Sequence, residues 1–317
     1  FFFKQKTAYE ITYGDWSSDV CSSDLIGTGT MATGIAAGFI EAGLPVLILG
    51  RTLEKAQACL NESLHMAGLS TTNHRVGTID RWDDWQNCVW VLETIIEDLP
   101  TKQTLFRELD QRVPDHIPIG SNSSAYPISK IAQGLRTANR MMGAHYFMPA
   151  ELVPLVEIVM GEKTDPQYAQ QIYSLYQSIH KKPVLVKKDI PGFLANRIQH
   201  ALMREALDLI DQGIASPEDV DDAVRYSFGF RYAAVGPITQ KELSGWDTNC
   251  NAAKEIYPSL CNSPSMPDSV LQMVKDGKTG IKNAQGYWQW TPEKIKALKD
   301  IYSKRLKAAF SVLKMEH

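Results

Sequence analysis

The 317-residue chain has no CxxC pair to suggest zinc or redox chemistry. Its five cysteines, Cys21, Cys59, Cys88, Cys250 and Cys261, are odd in number and scattered, a pattern that fits a reducing, cytosolic compartment. It also lacks an uninterrupted apolar run near the roughly 18 residues that a membrane-spanning helix requires; the longest candidate, 34–49, is broken by Glu41. An excess of one charge sign is missing too. Lys and Arg number 33 against 36 Asp and Glu, for a formal net charge of −3, so the concentrated basic surface that nucleic acid demands is not expected. No internal repeat is visible. What remains is the composition of an ordinary globular protein, 44% hydrophobic and 22% charged, on a length that exceeds what one core fills. Two domains are therefore expected, with a small molecule as the partner.

Residues 1 to about 25 have neither the order of a secretion signal nor a usable amphipathic period. They resemble a translated sequencing-adapter fragment of the kind that recurs at the start of assembled metagenomic sequences; the alternative is a disordered native extension. Either way they are set aside from the fold. The glycine turn that follows needs a buried apolar strand before it, and only Leu25 and Ile26 of one remain. Ser22, Ser23 and Asp24 are wrong for a position buried on both faces, so the sheet is expected to lack a proper first strand.

From Ile26 onward helices and strands alternate: a helix over 31–42, a strand at 45–49, a helix over 53–67, a strand at 88–93, a helix over 102–111 and a strand at 117–120. The alternation implies an α/β, Rossmann-like doubly wound parallel sheet covered on both faces. Runs at 143–147, 153–159 and 183–186 complete the sheet, and after Asp189 the pattern is helical throughout. The expected division is a dinucleotide-binding domain over 26–188 and an all-α domain over 189–317. Ser216-Pro217-Glu218-Asp219 places a cap, a first-turn proline and acids where a helix start wants them, and Gly213 is a good left-handed stop for the helix before it.

Gly27-Thr28-Gly29-Thr30-Met31-Ala32 is a GxGxxA turn. Gly27 permits the tight bend, Gly29 lets the backbone approach a pyrophosphate, and Ala32 keeps helix and strand close. Folds selective for NAD usually end the next strand with an acid for the ribose 2′-hydroxyl. Here Gly50-Arg51-Thr52 stands instead. Arg51 either pairs with a 2′-phosphate, which favours NADP, or is a solvated loop arginine.

Gly120-Ser121-Asn122-Ser123-Ser124, Ala144-His145-Tyr146-Phe147-Met148-Pro149, Pro154-Leu155-Val156-Glu157 and Pro191-Gly192-Phe193-Leu194-Ala195-Asn196-Arg197 together resemble the 3-hydroxyacyl-CoA dehydrogenases in order and spacing. The likeness runs from about 26 to 290. It implies that His145 is the general base and Glu157 the carboxylate that orients it, that Ser124 and Asn196 face the substrate, and that Glu97, Lys102 and Asn122 contact the cofactor. It also implies NAD, a role in fatty-acid or butanoate-type metabolism, and a homodimer formed through the helical domain. The chemistry suits these residue types: oxidising a secondary alcohol needs a base for the hydroxyl proton as hydride leaves for the nicotinamide, and histidine titrates in the right range.

Several residues depart from the family pattern. Met148 stands where asparagine is usual, Ala125 follows the serine, and Gly50-Arg51 replaces the acid. The stretch Phe228-Gly229-Phe230-Arg231-Tyr232, leading to Gly236-Pro237, is more similar to L-gulonate 3-dehydrogenase (lambda-crystallin) and L-carnitine dehydrogenase. Arg231 could then bind a compact carboxylate through paired hydrogen bonds. A hydroxyacyl-CoA is the first expected substrate, a free 3-hydroxy acid such as L-gulonate or carnitine the alternative, and a non-catalytic cofactor-binding protein the reading from another class.

Overall fold

The computed structural model describes residues 22–70, 73–313 and 315. Residues 1–21, which hold most of the stretch set aside above, lie outside them. Strands β1 (Ser22–Ile26), β2 (Val46–Gly50), β3 (Arg75–Thr78), β4 (Cys88–Glu93), β5 (Ile119–Ser121), β6 (Met141–Tyr146), β7 (Leu155–Met160) and β8 (Lys182–Val186) form one sheet in the order β3-β2-β1-β4-β5-β6-β7-β8. Helices α1 (Thr30–Glu41), α2 (Leu53–Ala67), α3 (Leu99–Arg112), α4 (Ile128–Ile131) and α5 (Pro166–Ser178) lie between strands.

Local chemistry sets the helix ends. Thr52 accepts the Lys55 N–H at the start of α2, and Gly68, at φ 67°, closes it. Asp98 and Asp165 do the same for α3 and α5, each with a proline in the first turn. The sheet separates two apolar clusters. Leu25, Ile35, Phe39, Val46 and Tyr176 belong to one, and Ile26, Leu47, Val91, Phe106 and Leu109 to the other. Neighbouring Leu25 and Ile26 fall on opposite sides because successive strand residues alternate faces.

The expectation of a missing first strand is overturned. β1 is present, paired parallel to β2 on one side and β4 on the other, and Ser22, Ser23 and Asp24 are buried in it. The backbone ladder supplies the pairing whatever the side chains are, and these three are small enough to fit. Their polarity is only partly satisfied. Ser22 Oγ donates to Asp24 Oδ1 (2.7 Å), whereas Ser23 Oγ and Asp24 Oδ2 have no hydrogen-bond partner.

The sheet is also not wholly parallel. β7 runs antiparallel to β6, and parallel order resumes between β7 and β8. The connection over 147–154 is shorter than the dozen or so residues a parallel crossover takes, so the chain turns back on itself. This hairpin places His145 directly opposite Glu157.

A second compact unit begins at Ile198. α6 (Ala195–Asp211) leads into α7 (Pro217–Tyr226), α8 (Phe228–Tyr232), α9 (Pro237–Ser244), α10 (Trp246–Ile256), α11 (Asp268–Lys275) and α12 (Pro292–Leu313). Gly213 adopts φ 68° after α6, and Ser216 and Asp219 form a capping box on α7. No described residue beyond Leu207 is buried within the single chain, and Phe230, Ile238 and Leu243 are largely exposed. None of the described helices is long and apolar enough to cross a membrane.

Candidate active site

The order of the strands reverses between β1 and β4, and crevices at such switch points hold ligands in open α/β sheets. The glycine turn sits there. Gly27 adopts φ +135°, and a Cβ on it would strike Thr94 Oγ1 and lie 2.9 Å from the Thr94 carbonyl oxygen. Thr94 in turn donates its N–H and its hydroxyl to the Ile26 carbonyl (2.8 and 3.1 Å). Gly29, by contrast, opens onto free space, with nothing within 4 Å of a Cβ placed on it. α1 has no side-chain cap at its N-terminus, so its first-turn N–H groups and the open face of Gly29 fit a pyrophosphate. Ala32 is buried against the sheet as its spacing requires.

Gly50 ends β2. A Cβ there would be 2.9 Å from the Thr52 carbonyl oxygen and 3.0 Å from Thr28 Cγ2, so an acid at this position would force the turn to shift. Arg51 follows, exposed.

Next to β4 lies a polar cluster. Lys102 Nζ is 2.6 Å from Glu93 Oε1 and 3.3 Å from Glu97 Oε2, with Lys102 and Glu93 both buried. Burial raises the Glu93 carboxyl, and the charge and hydrogen bond of Lys102 offset part of that rise. Burial also works against Glu97, but hydrogen bonds from Ser123 Oγ and the Ala125 N–H, with the Lys102 charge, outweigh it and hold its carboxyl below the usual range. Glu97 Oε1 thus gathers Ser123 Oγ (2.6 Å) and the Ser124 and Ala125 N–H groups (3.0 and 2.9 Å). Lys102 therefore lies beneath the surface of the site, holding the carboxylate that orders the serine loop. Asn122 Oδ1 accepts the Tyr146 N–H (2.9 Å), tying that loop to the strand of His145.

His145 Nδ1 is 2.7 Å from Glu157 Oε2, and both residues are buried. The second carboxylate oxygen, Oε1, accepts the N–H groups of Leu194 (3.1 Å) and Ala195 (2.7 Å) at the start of α6. Glu157 is thereby fixed from two sides. The imidazole also meets two aromatic rings, Phe147 at 4.5 Å and Phe193 at 5.5 Å between centroids.

The structure brings His145, Glu157 and Asn122 into one hydrogen-bonded neighbourhood, with Ser124 on the exposed loop held by Glu97. Asn196 follows Ala195 in the first turn of α6, partly exposed. Arg231 lies in the second unit, exposed on α8. The motifs that contain Ser121, Phe147 and Phe193 gave those residues no role, and Glu93 and Lys181 stand outside them. Ser121 Oγ donates to Glu93 Oε2 (2.6 Å), and Lys181 Nζ donates to the Ala150 and Val153 carbonyls (2.6 and 3.1 Å) in the β6–β7 connection. Burial lowers the Lys181 ammonium to about 8. An acid at a strand end nine residues before a lysine was a visible signal for the Glu93–Lys102 pair; nothing local marked Lys181.

The family model for the 3-hydroxyacyl-CoA dehydrogenase NAD binding domain matches residues 24–190, and that for the C-terminal domain matches 192–290. The chain is 33% identical over 299 residues to a 5-formyl-3-hydroxy-2-methylpyridine 4-carboxylate 5-dehydrogenase of Mesorhizobium japonicum, covering 91% of this chain and 97% of the relative. It is 30% identical over 318 residues to an L-carnitine dehydrogenase of Burkholderia mallei, covering 92% and 94%. Among solved structures, a 5-formyl-3-hydroxy-2-methylpyridine 4-carboxylic acid 5-dehydrogenase described as an NAD+ dependent dismutase superposes with a TM-score of 0.85 at 30% identity, covering 93% of this chain and 99% of the other. With an eight-stranded switch-point sheet, an uncapped glycine turn and a buried His–Glu pair, the chain belongs to the 3-hydroxyacyl-CoA dehydrogenase family and is a nicotinamide-dependent dehydrogenase acting on CH–OH.

Proposed function

We propose that this dehydrogenase oxidises the hydroxyl of a compact free hydroxy acid, with His145 as the general base and Glu157 as its orienting carboxylate. The buried 2.7 Å contact between His145 Nδ1 and Glu157 Oε2 carries the reading. Because Nδ1 is committed to Glu157, Nε2 is the nitrogen left to take the hydroxyl proton while the carbinol C–H bond gives up its hydride and a carbonyl forms. The bound nicotinamide cofactor, held by Gly27, Gly29 and the start of α1, would supply the hydride acceptor. Ser124 and Asn196 hydrogen-bond the substrate oxygen as its charge changes. Glu97 and Lys102 act by keeping the serine loop in place, and Asn122 by joining that loop to Tyr146.

A free acid rather than a CoA thioester is supported by two relatives at 30% identity or more over nine-tenths of the chain, one named for a pyridine carboxylate and the other for carnitine. Met148 in place of asparagine and the stretch around Arg231 agree with it. Steady-state rates on a panel of free hydroxy acids and 3-hydroxybutyryl-CoA test it: kcat/KM is higher for a free acid, and a higher value for the thioester would reverse the assignment.

For the cofactor, Gly50 leaves no acid to repel a 2′-phosphate and Arg51 is exposed beside it. NADP is therefore used in preference to NAD. Arg51→Ala lowers kcat/KM for NADP by about 10- to 100-fold, the worth of one charged hydrogen bond, and leaves NAD unaffected. A wild-type enzyme that prefers NAD, with no change in the variant, would make Arg51 a surface charge.

The helical unit forms a homodimer. Among its described residues the helical unit has none buried after Leu207, and its exposed apolar side chains need a second surface. Sedimentation gives twice the 35.4 kDa chain mass; a single-chain mass at micromolar concentration would contradict this.

A further inference from the structure

Outside the His145–Glu157 pair and the glycine turn, the molecule holds an open cleft lined by Ser129, Lys130, Glu162 and Lys163, the buried Lys181, and Phe193 beside the imidazole. Thr164, the buried polar residue in the lining of the cleft, spends its hydroxyl on the Met141 carbonyl (2.6 Å), and Lys181 holds the Ala150 and Val153 carbonyls. Phe193 is not accounted for by packing alone.

Its backbone lies at φ +51°, a left-handed conformation that a bulky residue rarely adopts. Gly192 before it, at φ +76°, is where a glycine belongs, so the chain spends two consecutive left-handed residues here. That turn does two things. It aims the next two N–H groups, of Leu194 and Ala195, at Glu157 Oε1, and it buries the Phe193 ring 5.5 Å from the imidazole at an interplanar angle of 60°. Phe147, the first residue after β6, meets the imidazole at 4.5 Å and 62°. A glycine or asparagine at 193 would hold the same backbone with less strain. The side chain is therefore what the turn retains at a cost, and strained residues of this kind cluster where function needs them.

We infer that Phe193 is a positioning residue for the base: with Phe147 it clamps the imidazole edge-on and keeps water off the His145–Glu157 hydrogen bond. Glu157 on β7 is bonded to the ring, and the aromatic rings that meet it, from the residue after β6 and from the turn before α6, are these two uncharged phenyl groups. The clamp fixes the ring's direction, so that Nε2 stays aimed along one line, and a displacement of about 1 Å in such a group can cost 10²-fold in rate. The inference rests on His145 being the base.

The test is Phe193→Gly, which keeps the left-handed turn and removes only the ring. The expected result is a kcat about 10- to 100-fold lower, with KM for substrate and cofactor within threefold of wild type. The downfield NMR resonance of the His145 Nδ1 proton, sharp in the wild type, broadens through exchange with water. Phe193→Leu, which refills the space, restores most of the rate. Phe193→Asn also tolerates this backbone and is read the same way, which keeps the test usable if the glycine variant does not fold. An unchanged kcat with a sharp resonance in a folded variant overturns the inference, as does a raised KM at constant kcat, which would make Phe193 a substrate contact. His145→Gln is measured alongside. If it keeps turnover the base assignment itself fails; if it loses turnover while Phe193→Gly does not, only the clamp fails.

Discussion

Replacing His145 with glutamine lowers kcat by about 10²- to 10⁴-fold, the usual worth of a positioned general base, and leaves cofactor affinity close to wild type. Glutamine matches histidine in reach but cannot take a proton, and the residues that fit the cofactor sit on a different part of the sheet, at the β1–β4 switch point. The loss therefore appears in kcat and kcat/KM together, as for an interaction made in the transition state. Glu157→Gln is also damaging. Its amide oxygen can still receive the Leu194 and Ala195 N–H groups, but the charge that stabilises a protonated imidazole is gone. Turnover followed by nicotinamide absorbance, with cofactor binding followed by fluorescence, checks both variants. Near-normal turnover by a folded His145 variant would show that another group is the base.

Asp24→Val raises thermal stability by several degrees at pH 8 and by much less at pH 5. Burial pushes the Asp24 carboxyl from 3.8 up to about 7, and the hydrogen bond from Ser22 recovers only part of that cost. A carboxyl raised this far binds its proton more tightly in the folded chain than in the unfolded one. Stability therefore falls as pH rises between about 4 and 7 and is lowest above 7, where the ionised form costs the fold about 4 kcal/mol. Valine removes the ionisation, tolerates burial on both faces and suits a strand. Asp24→Asn keeps the shape and removes only the charge, so it gains stability at pH 8 with little effect at pH 5. Denaturation followed by circular dichroism at both pH values decides the matter, and a loss of stability at pH 8 in both variants would mean that the carboxylate is paired after all.

β1 is also where sequence reasoning went furthest astray. Side-chain pattern predicts burial well when apolar residues mark it, as at Val46–Gly50 and Cys88–Glu93, but a central strand is held by its backbone, and Ser22-Ser23-Asp24 carried no apolar signal. β3 was invisible for a related reason: an edge strand of Arg75-Val76-Gly77-Thr78 has one apolar residue to show. α5 was legible and passed over, since Asp165-Pro166 starts it and Ala169, Ile172 and Tyr176 mark its buried side. Of the site, His145, Glu157, Asn122 and the glycines stood out through motif spacing. Phe193 stood in a motif without a role and Lys181 outside every motif, because a left-handed backbone and a pair of carbonyls from a distant loop exist only once the chain has folded.

Hydride transfer from a free hydroxy acid, with His145 taking the proton, is tested most directly by a substrate deuterated at the carbinol carbon. In the wild type the deuterium appears on the reduced nicotinamide, one per carbonyl formed and with a primary isotope effect in single turnover, while His145→Gln forms neither product at a comparable rate. Carbonyl formed without deuterium on the nicotinamide, or transfer as fast in the variant as in the wild type, would contradict the account.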